Sequence, residues 1–176
     1  MSRGKFLKET LSGAALLAIA RCIPNGTLLA SGRVGIPSTL SFFSLQEYLI
    51  FEAVAERIIG PPPPGGPTSG DIGVAARADT FLSGADPEVQ EQIHQLLTVF
   101  NAPFFTFLFD FRFSSFINMS DQDRDSYLLD WMTSMIGFRR TGFQALKRIS
   151  LSMFYTENRA WTEIGYEGMF LPEERK

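Results

Sequence analysis

Between Asn101 and Asn118 the chain reads N-A-P-F-F-T-F-L-F-D-F-R-F-S-S-F-I-N and holds seven of its seventeen phenylalanines. Each buried ring removes roughly 150–250 Å² from water, so any fold of this chain must first find a place for these rings. From Phe105 to Phe113 they alternate with Thr106, Leu108, Asp110 and Arg112, the period-2 pattern of a half-buried strand. Against a strand, Pro103 suits the first turn of a helix, the apolar run covers more than about three helical turns, and no neighbouring stretch offers a strand to pair with. The helical reading is preferred. A helix with rings on every side is buried by its own domain or by a partner.

The rest of the sequence sets the class. With 176 residues, 45% of them hydrophobic, the chain is long enough for a single domain with one sizeable core. Residues 1–30 carry four bases (Arg3, Lys5, Lys8, Arg21) against Glu9, and the remainder has 12 bases and 18 acids. That acidic body argues against a nucleic-acid partner, which needs a basic footprint. Cys22 is the single cysteine, so neither an intrachain disulfide nor a thiolate-ligated cluster nor a Cys-x-x-Cys-His haem attachment can form. A lipid-modified Cys22 is disfavoured by Arg21, a charge where lipoprotein signals carry a small residue.

Four regions are expected. Residues 1–30 resemble an export signal, with a basic start, an apolar stretch from Leu11 to Ala20 and small residues at Ala20 and Ala30; an ordinary amphipathic N-terminal helix is the alternative. The apolar stretch is shorter than the ~20 residues that span a bilayer. Residues 31–43 read as a linker, 44–170 as a helical domain and 171–176 as a charged tail.

Within the domain the sequence predicts an all-α, irregular bundle of about six helices. Ser44-x-x-Glu47 is a capping box ahead of Leu45, Leu49, Ile50, Val54 and Ile58, ended by Gly60. Pro61–Pro67, P-P-P-P-G-G-P, is a loop, and without a following Gly-Lys-Ser/Thr it is not a phosphate loop. Asp71 is expected to cap a helix reaching Leu82 and stopping at Gly84; Asp86-Pro87 then opens a helix with Val89, Ile93, Leu96, Leu97 and Phe100 on its apolar face. Ser120 caps the next, for which Tyr127, Leu128, Trp131, Met132, Met135 and Ile136 form the expected core face. A helix from about Phe138 to Tyr155 and a short turn holding Trp161 and Ile164, closed by Gly165, complete the domain.

Catalytic signals are sparse. His94 is the only histidine, has no Cys or second His to join it, and reads as a surface or boundary residue. Asp121, Asp123 and Asp125 have the spacing that opens an EF-hand loop, but Ser126 and Met132 stand where the loop needs glycine and glutamate, so they read as acids favouring a helix N-terminus. Asp110 and Arg112, charges within the aromatic run, each need a partner if buried, and Arg139 or Arg140 could serve Asp110 in a structural network.

One resemblance is more specific. Trp131-x-x-Ser134, Arg139, Phe143-x-x-Leu146-Lys147, Phe154-Tyr155 and above all Trp161-x-x-Ile164-Gly165-Tyr166-x-Gly168 resemble the gluconate 2-dehydrogenase subunit 3 family, as do Ala55–Ile59 before the Pro/Gly loop and Gly73-Val74-Ala75 after it. The similarity covers about Phe42 to Gly168. It implies a non-catalytic small subunit in the periplasm or on the periplasmic face of the inner membrane, peripherally associated with the membrane through its complex and without a cofactor of its own. Its partner would be a large FAD-dependent dehydrogenase of the glucose-methanol-choline type, acting on a sugar, sugar acid or alcohol, in some complexes with a multihaem cytochrome c. Ser2-Arg3-Gly4-Lys5-Phe6-Leu7-Lys8 is similar to the twin-arginine export motif that such subunits carry, with Gly4 standing in place of the second arginine. The expected partner-facing residues are Phe105, Phe109, Phe113, Phe116, Trp161 and Tyr166. A stand-alone helical enzyme and a periplasmic protein whose phenylalanines line an apolar ligand cavity are the other classes considered.

Overall fold

A computed structural model describes residue 37 and residues 39–102 and 114–166. Six α-helices and two 3₁₀ turns account for most of these residues: α1 (Leu45–Ile59), α2 (Ser69–Ile72), α3 (Val74–Ser83), α4 (Pro87–Asn101), the 3₁₀ turn Phe116–Asn118, α5 (Asp121–Thr133), α6 (Gly137–Tyr155) and the 3₁₀ turn Asn158–Ile164. Among the described residues there is no strand, and the architecture is all-α.

The element around which the others are arranged is α1. Its start is fixed by the capping box: the Glu47 backbone N–H donates to Ser44 Oγ (3.3 Å) while the Glu47 carboxylate accepts from the Ser44 N–H (2.9 Å). Its end is Gly60, whose φ of 78° is a left-handed value that glycine adopts without a Cβ penalty. Between them Tyr48, Ile50, Phe51, Ala53, Val54 and Ala55 are buried, on more than one side of the helix. A helix with so wide a buried face is stable only when neighbours cover it on several sides. Accordingly α1 packs against α2, α3, α4, α5, α6 and the first 3₁₀ turn, with Ala53 and Ala55 letting neighbours approach closely.

The expected single helix from Asp71 to Leu82 is two. Thr68, not Asp71, is the N-cap: its hydroxyl accepts from the Asp71 N–H, and the Asp71 carboxylate returns to the Thr68 N–H at 2.9 Å. Gly73 (φ 70°) then breaks the path in the left-handed region, and α3 starts afresh at Val74. By contrast Asp86 caps α4 with Pro87 in its first turn, as the sequence indicates.

A second cluster, of aromatic rings, centres on Phe100. It lies 4.9 Å from Phe116, 5.1 Å from Tyr127 and 4.7 Å from Trp131, in edge-on or tilted geometry that satisfies the ring quadrupoles. The Tyr127 hydroxyl donates to the Phe100 carbonyl at 2.9 Å, so the buried phenol does not lose a hydrogen bond. Gly142 on α6 makes this packing feasible: a Cβ there would sit 2.5 Å from Leu96 and 3.0 Å from the Trp131 ring.

Candidate functional site

Most of the phenylalanine run, together with Phe105, Phe109, Phe113, Asp110 and Arg112, lies outside the described residues. Its two ends are described and they meet, for the Ile117 N–H donates to Asn101 Oδ1 at 3.4 Å. Phe116, expected at a partner surface, is instead a core residue with no exposed area, packed between Phe100 and Tyr127. The Arg124 guanidinium lies over its ring at 5.8 Å and donates to the carbonyls of Phe116 and Ile117. Burying this ring costs nothing in exposed apolar area, whereas presenting it would leave a hole beside Phe100.

The two consecutive arginines of α6 diverge. Arg139 is buried with its guanidinium over Trp131 (5.3 Å) and Tyr127 (6.0 Å), a cation–π position. Arg140 points outward and donates to the Ser134 carbonyl at 2.6 Å.

Trp161 and Tyr166, the other expected interface residues, come together at the surface. The ring centroids are 5.2 Å apart and edge-on. The turn carrying them is built from the end of α6: Trp161 Nε1 donates to the Tyr155 carbonyl (2.8 Å), satisfying a helix-terminal acceptor, and the Tyr166 N–H returns to the Trp161 carbonyl (3.0 Å) across Gly165 at φ 67°. Ala160, fully buried, seats the turn on the core, and Arg159 ties it to the Asp71 carbonyl of α2 (3.0 Å). An ion pair between Arg77 and Glu157 adds a link to α3. Ile164 and Tyr166 are left 58% and 46% exposed, an apolar tip on a braced base.

A second apolar surface was not legible as such. Met132, Met135 and Ile136 read as core from their helical spacing, yet α5 stops at Thr133 and the chain turns a corner into α6. Past that point, at Met135 and Ile136, the helical period no longer applies, while Met132 lies on an exposed side of the last turn. Met132 and Ile136 are each 40% exposed and Met135 95%, with Leu129 and Phe138 exposed beside them.

The charged candidates among the described residues engage other parts of the chain. Asp121, Asp123 and Asp125 lie within α5 rather than in a calcium loop. Ser120 caps that helix, and Arg57 of α1 bridges Asp125 (2.6 Å) and Asp121 (3.3 Å). The hydrogen bond from Arg57 holds the Asp125 carboxyl below the usual carboxylate range. His94 is a boundary residue: its Nδ1 lies 2.7 Å from Glu47 Oε1, and its ring stacks on Phe42 at 4.3 Å. Among the described residues no group of three or more His, Cys, Asp or Glu side chains could hold a metal ion.

One residue was passed over by the sequence reading. Asp79 of α3 is 4% exposed, and its carboxylate accepts from three consecutive backbone N–H groups, Ser41 (2.7 Å), Phe42 (2.9 Å) and Phe43 (2.7 Å). It fastens the segment before α1 to α3. The available signal was an acid on the apolar stripe of Ala75, Ala78 and Leu82. Nearby, burial first and then the carboxylates of Glu52 and Asp79 push the Tyr48 phenol above its ordinary pKa.

Beneath the proline-rich loop lies a cleft of about 450 Å³ bordered by Glu52, Glu56, Arg57, Gly60, Pro61 and Pro62. Two carboxylates, and a guanidinium already engaged by Asp125, make it a poor cradle for phosphate. No family model, curated protein or solved structure matches the chain.

Proposed function

We propose that the chain is a non-catalytic small subunit that binds and stabilises a large FAD-dependent dehydrogenase of the glucose-methanol-choline type and escorts it to the periplasmic face of the inner membrane. The partner's substrate would be a sugar, sugar acid or alcohol, with flavin in the partner and haem c, where present, in a third subunit. The observation that carries this reading is the Trp161–Tyr166 turn. The residues of the most specific motif in the resemblance, Trp161, Ile164, Gly165 and Tyr166, form one surface feature here, with a braced backbone and an apolar tip. A turn serving only the core would bury Ile164 and Tyr166; a docking tip leaves them in water until a partner covers them.

The test is co-expression of the chain with glucose-methanol-choline-type flavoproteins of the same organism, followed by affinity purification. The expected result is a stoichiometric complex with flavin absorbance, weakened at least tenfold by Tyr166→Ala with Ile164→Ser. A flavoprotein that purifies alone, active and soluble with or without this chain, would overturn the proposal.

A further inference from the structure

The corner between α5 and α6 carries a different surface, independent of any protein partner. We infer that this corner and the basic side of α6 form a contact site for an anionic lipid surface, laid on the membrane rather than spanning it. No helix among the described residues is long and apolar enough to cross a bilayer.

Three observations converge. First, the apolar groups project. Met135 is 95% exposed in the corner, and Ile136 (40%) and Phe138 (52%), which follow it, are exposed as well. A protein partner needs a socket shaped to such a knob, whereas the headgroup–acyl boundary accepts any convex apolar tip.

Second, charge is segregated. Over its nineteen residues α6 carries Arg139, Arg140, Lys147 and Arg148 and no acid, in a chain whose net charge is −3. Arg139 is consumed by the core, but Arg140, Lys147 and Arg148 are exposed. At about 100° per residue these three fall on one outer flank, together with Leu151, and Arg140 to Arg148 spans about 12 Å along the axis.

Third, the nearest base is fixed in place. The bond from Arg140 to the Ser134 carbonyl holds a guanidinium against the backbone of the residue that precedes Met135, so a base is fixed at the corner itself. The acids of α5 are mostly remote: Asp121, Asp123 and Asp125 lie at the far end of the helix, about 15 Å or more along the axis from the corner, where Asp121 and Asp125 share Arg57, and Asp130 is only partly exposed. Apolar insertion plus a few bases is the pairing of signals that reversible peripheral binding requires.

The experiment uses the full chain with Cys22→Ser and Met135→Cys, carrying an environment-sensitive fluorophore at residue 135, and vesicles of phosphatidylcholine with or without phosphatidylglycerol. Labelling at residue 135 separates insertion of the corner from any binding by the apolar N-terminal stretch. The expected result is a blue shift on phosphatidylglycerol-containing vesicles alone, absent for the same label at Gln122, an exposed position at the start of α5. Replacing Arg140, Lys147 and Arg148 by Gln should weaken the response roughly fivefold for each base removed. A chain that co-sediments with these vesicles while the label at 135 stays in water would overturn the assignment, as would absence of binding to either vesicle. A dimer in vesicle-free solution that Met135→Glu dissociates would reassign the corner to a second copy.

Discussion

Replacing Asp79 by Ala should release the segment before α1 while leaving the helices in place. The carboxylate makes three charge-assisted hydrogen bonds of 2.7–2.9 Å from a site that is 4% exposed. Loss of a hydrogen bond to a charged group costs about 1.5–3 kcal/mol, so simple addition would give about 5–9 kcal/mol. That sum is too large, because the Ser41 and Phe42 donors are only partly buried and can turn to water. The buried donor is Phe43, and releasing it also disturbs its ring against Phe51 at 5.4 Å. A net loss of about 2–4 kcal/mol follows, short of the usual total stability of a domain this size. Asn at this position keeps the oxygen that receives Phe42 and Phe43 but sets an amide N–H₂ against the Ser41 N–H, for about 1–2 kcal/mol. Urea denaturation gives the magnitudes, and amide hydrogen exchange gives the location: fast exchange at 41–43 with the α3 amides still protected. An Ala variant within about 0.5 kcal/mol of wild type, with 41–43 as protected as before, would refute the anchoring role.

Two further expectations concern packing and charge. Gly142→Ala gains about 1 kcal/mol of helix propensity but drives a methyl into Leu96 and the Trp131 ring, so a net loss of about 1–2 kcal/mol in thermal or urea unfolding is expected, with a change in tryptophan emission. Asp125→Asn tests the Arg57 bridge. Because Arg57 depresses the folded carboxyl pKa, the bridge stabilises above the unfolded carboxylate value near 4 and is lost as pH falls through the folded value. The variant should be less stable than wild type at pH 7 by under about 1 kcal/mol, the side chain being 51% exposed, and the difference should vanish at strongly acid pH.

Capping chemistry was readable because it is local: Ser44 with Glu47, Asp86 with Pro87, and Ser120 with Asp123 each act within one turn of chain. Thr68 was missed in favour of Asp71 because both suit a cap, and only the left-handed Gly73 tells where one helix becomes two. Periodicity carried the α5 core as far as Trp131; it failed at Met135 and Ile136, since a helical repeat says nothing about where the helix stops, while Met132, still within α5, lies next to Trp131 but on an exposed side of the helix. That failure is what revealed the exposed corner. Phe116 erred in the opposite direction: ring density looked like surplus surface, but Phe100 and Tyr127, on the helices before and after it, supply a socket for it. The Trp161–Tyr166 pair was legible as a motif, while its bracing by Tyr155, Asp71 and Arg77 depends on contacts across the chain.

The central position of α1 also has a consequence in time. About 80 residues separate the end of α1 at Ile59 from the start of α6 at Gly137, one of the helices that enclose it. At about 5–20 residues per second, a ribosome needs roughly 4–16 s to make them. Throughout that interval Phe51, Val54 and Ala55, all fully buried at the end, have no complete set of neighbours. The nascent chain therefore waits on α6, and a truncation before it would leave a sticky, protease-sensitive intermediate rather than a smaller stable bundle.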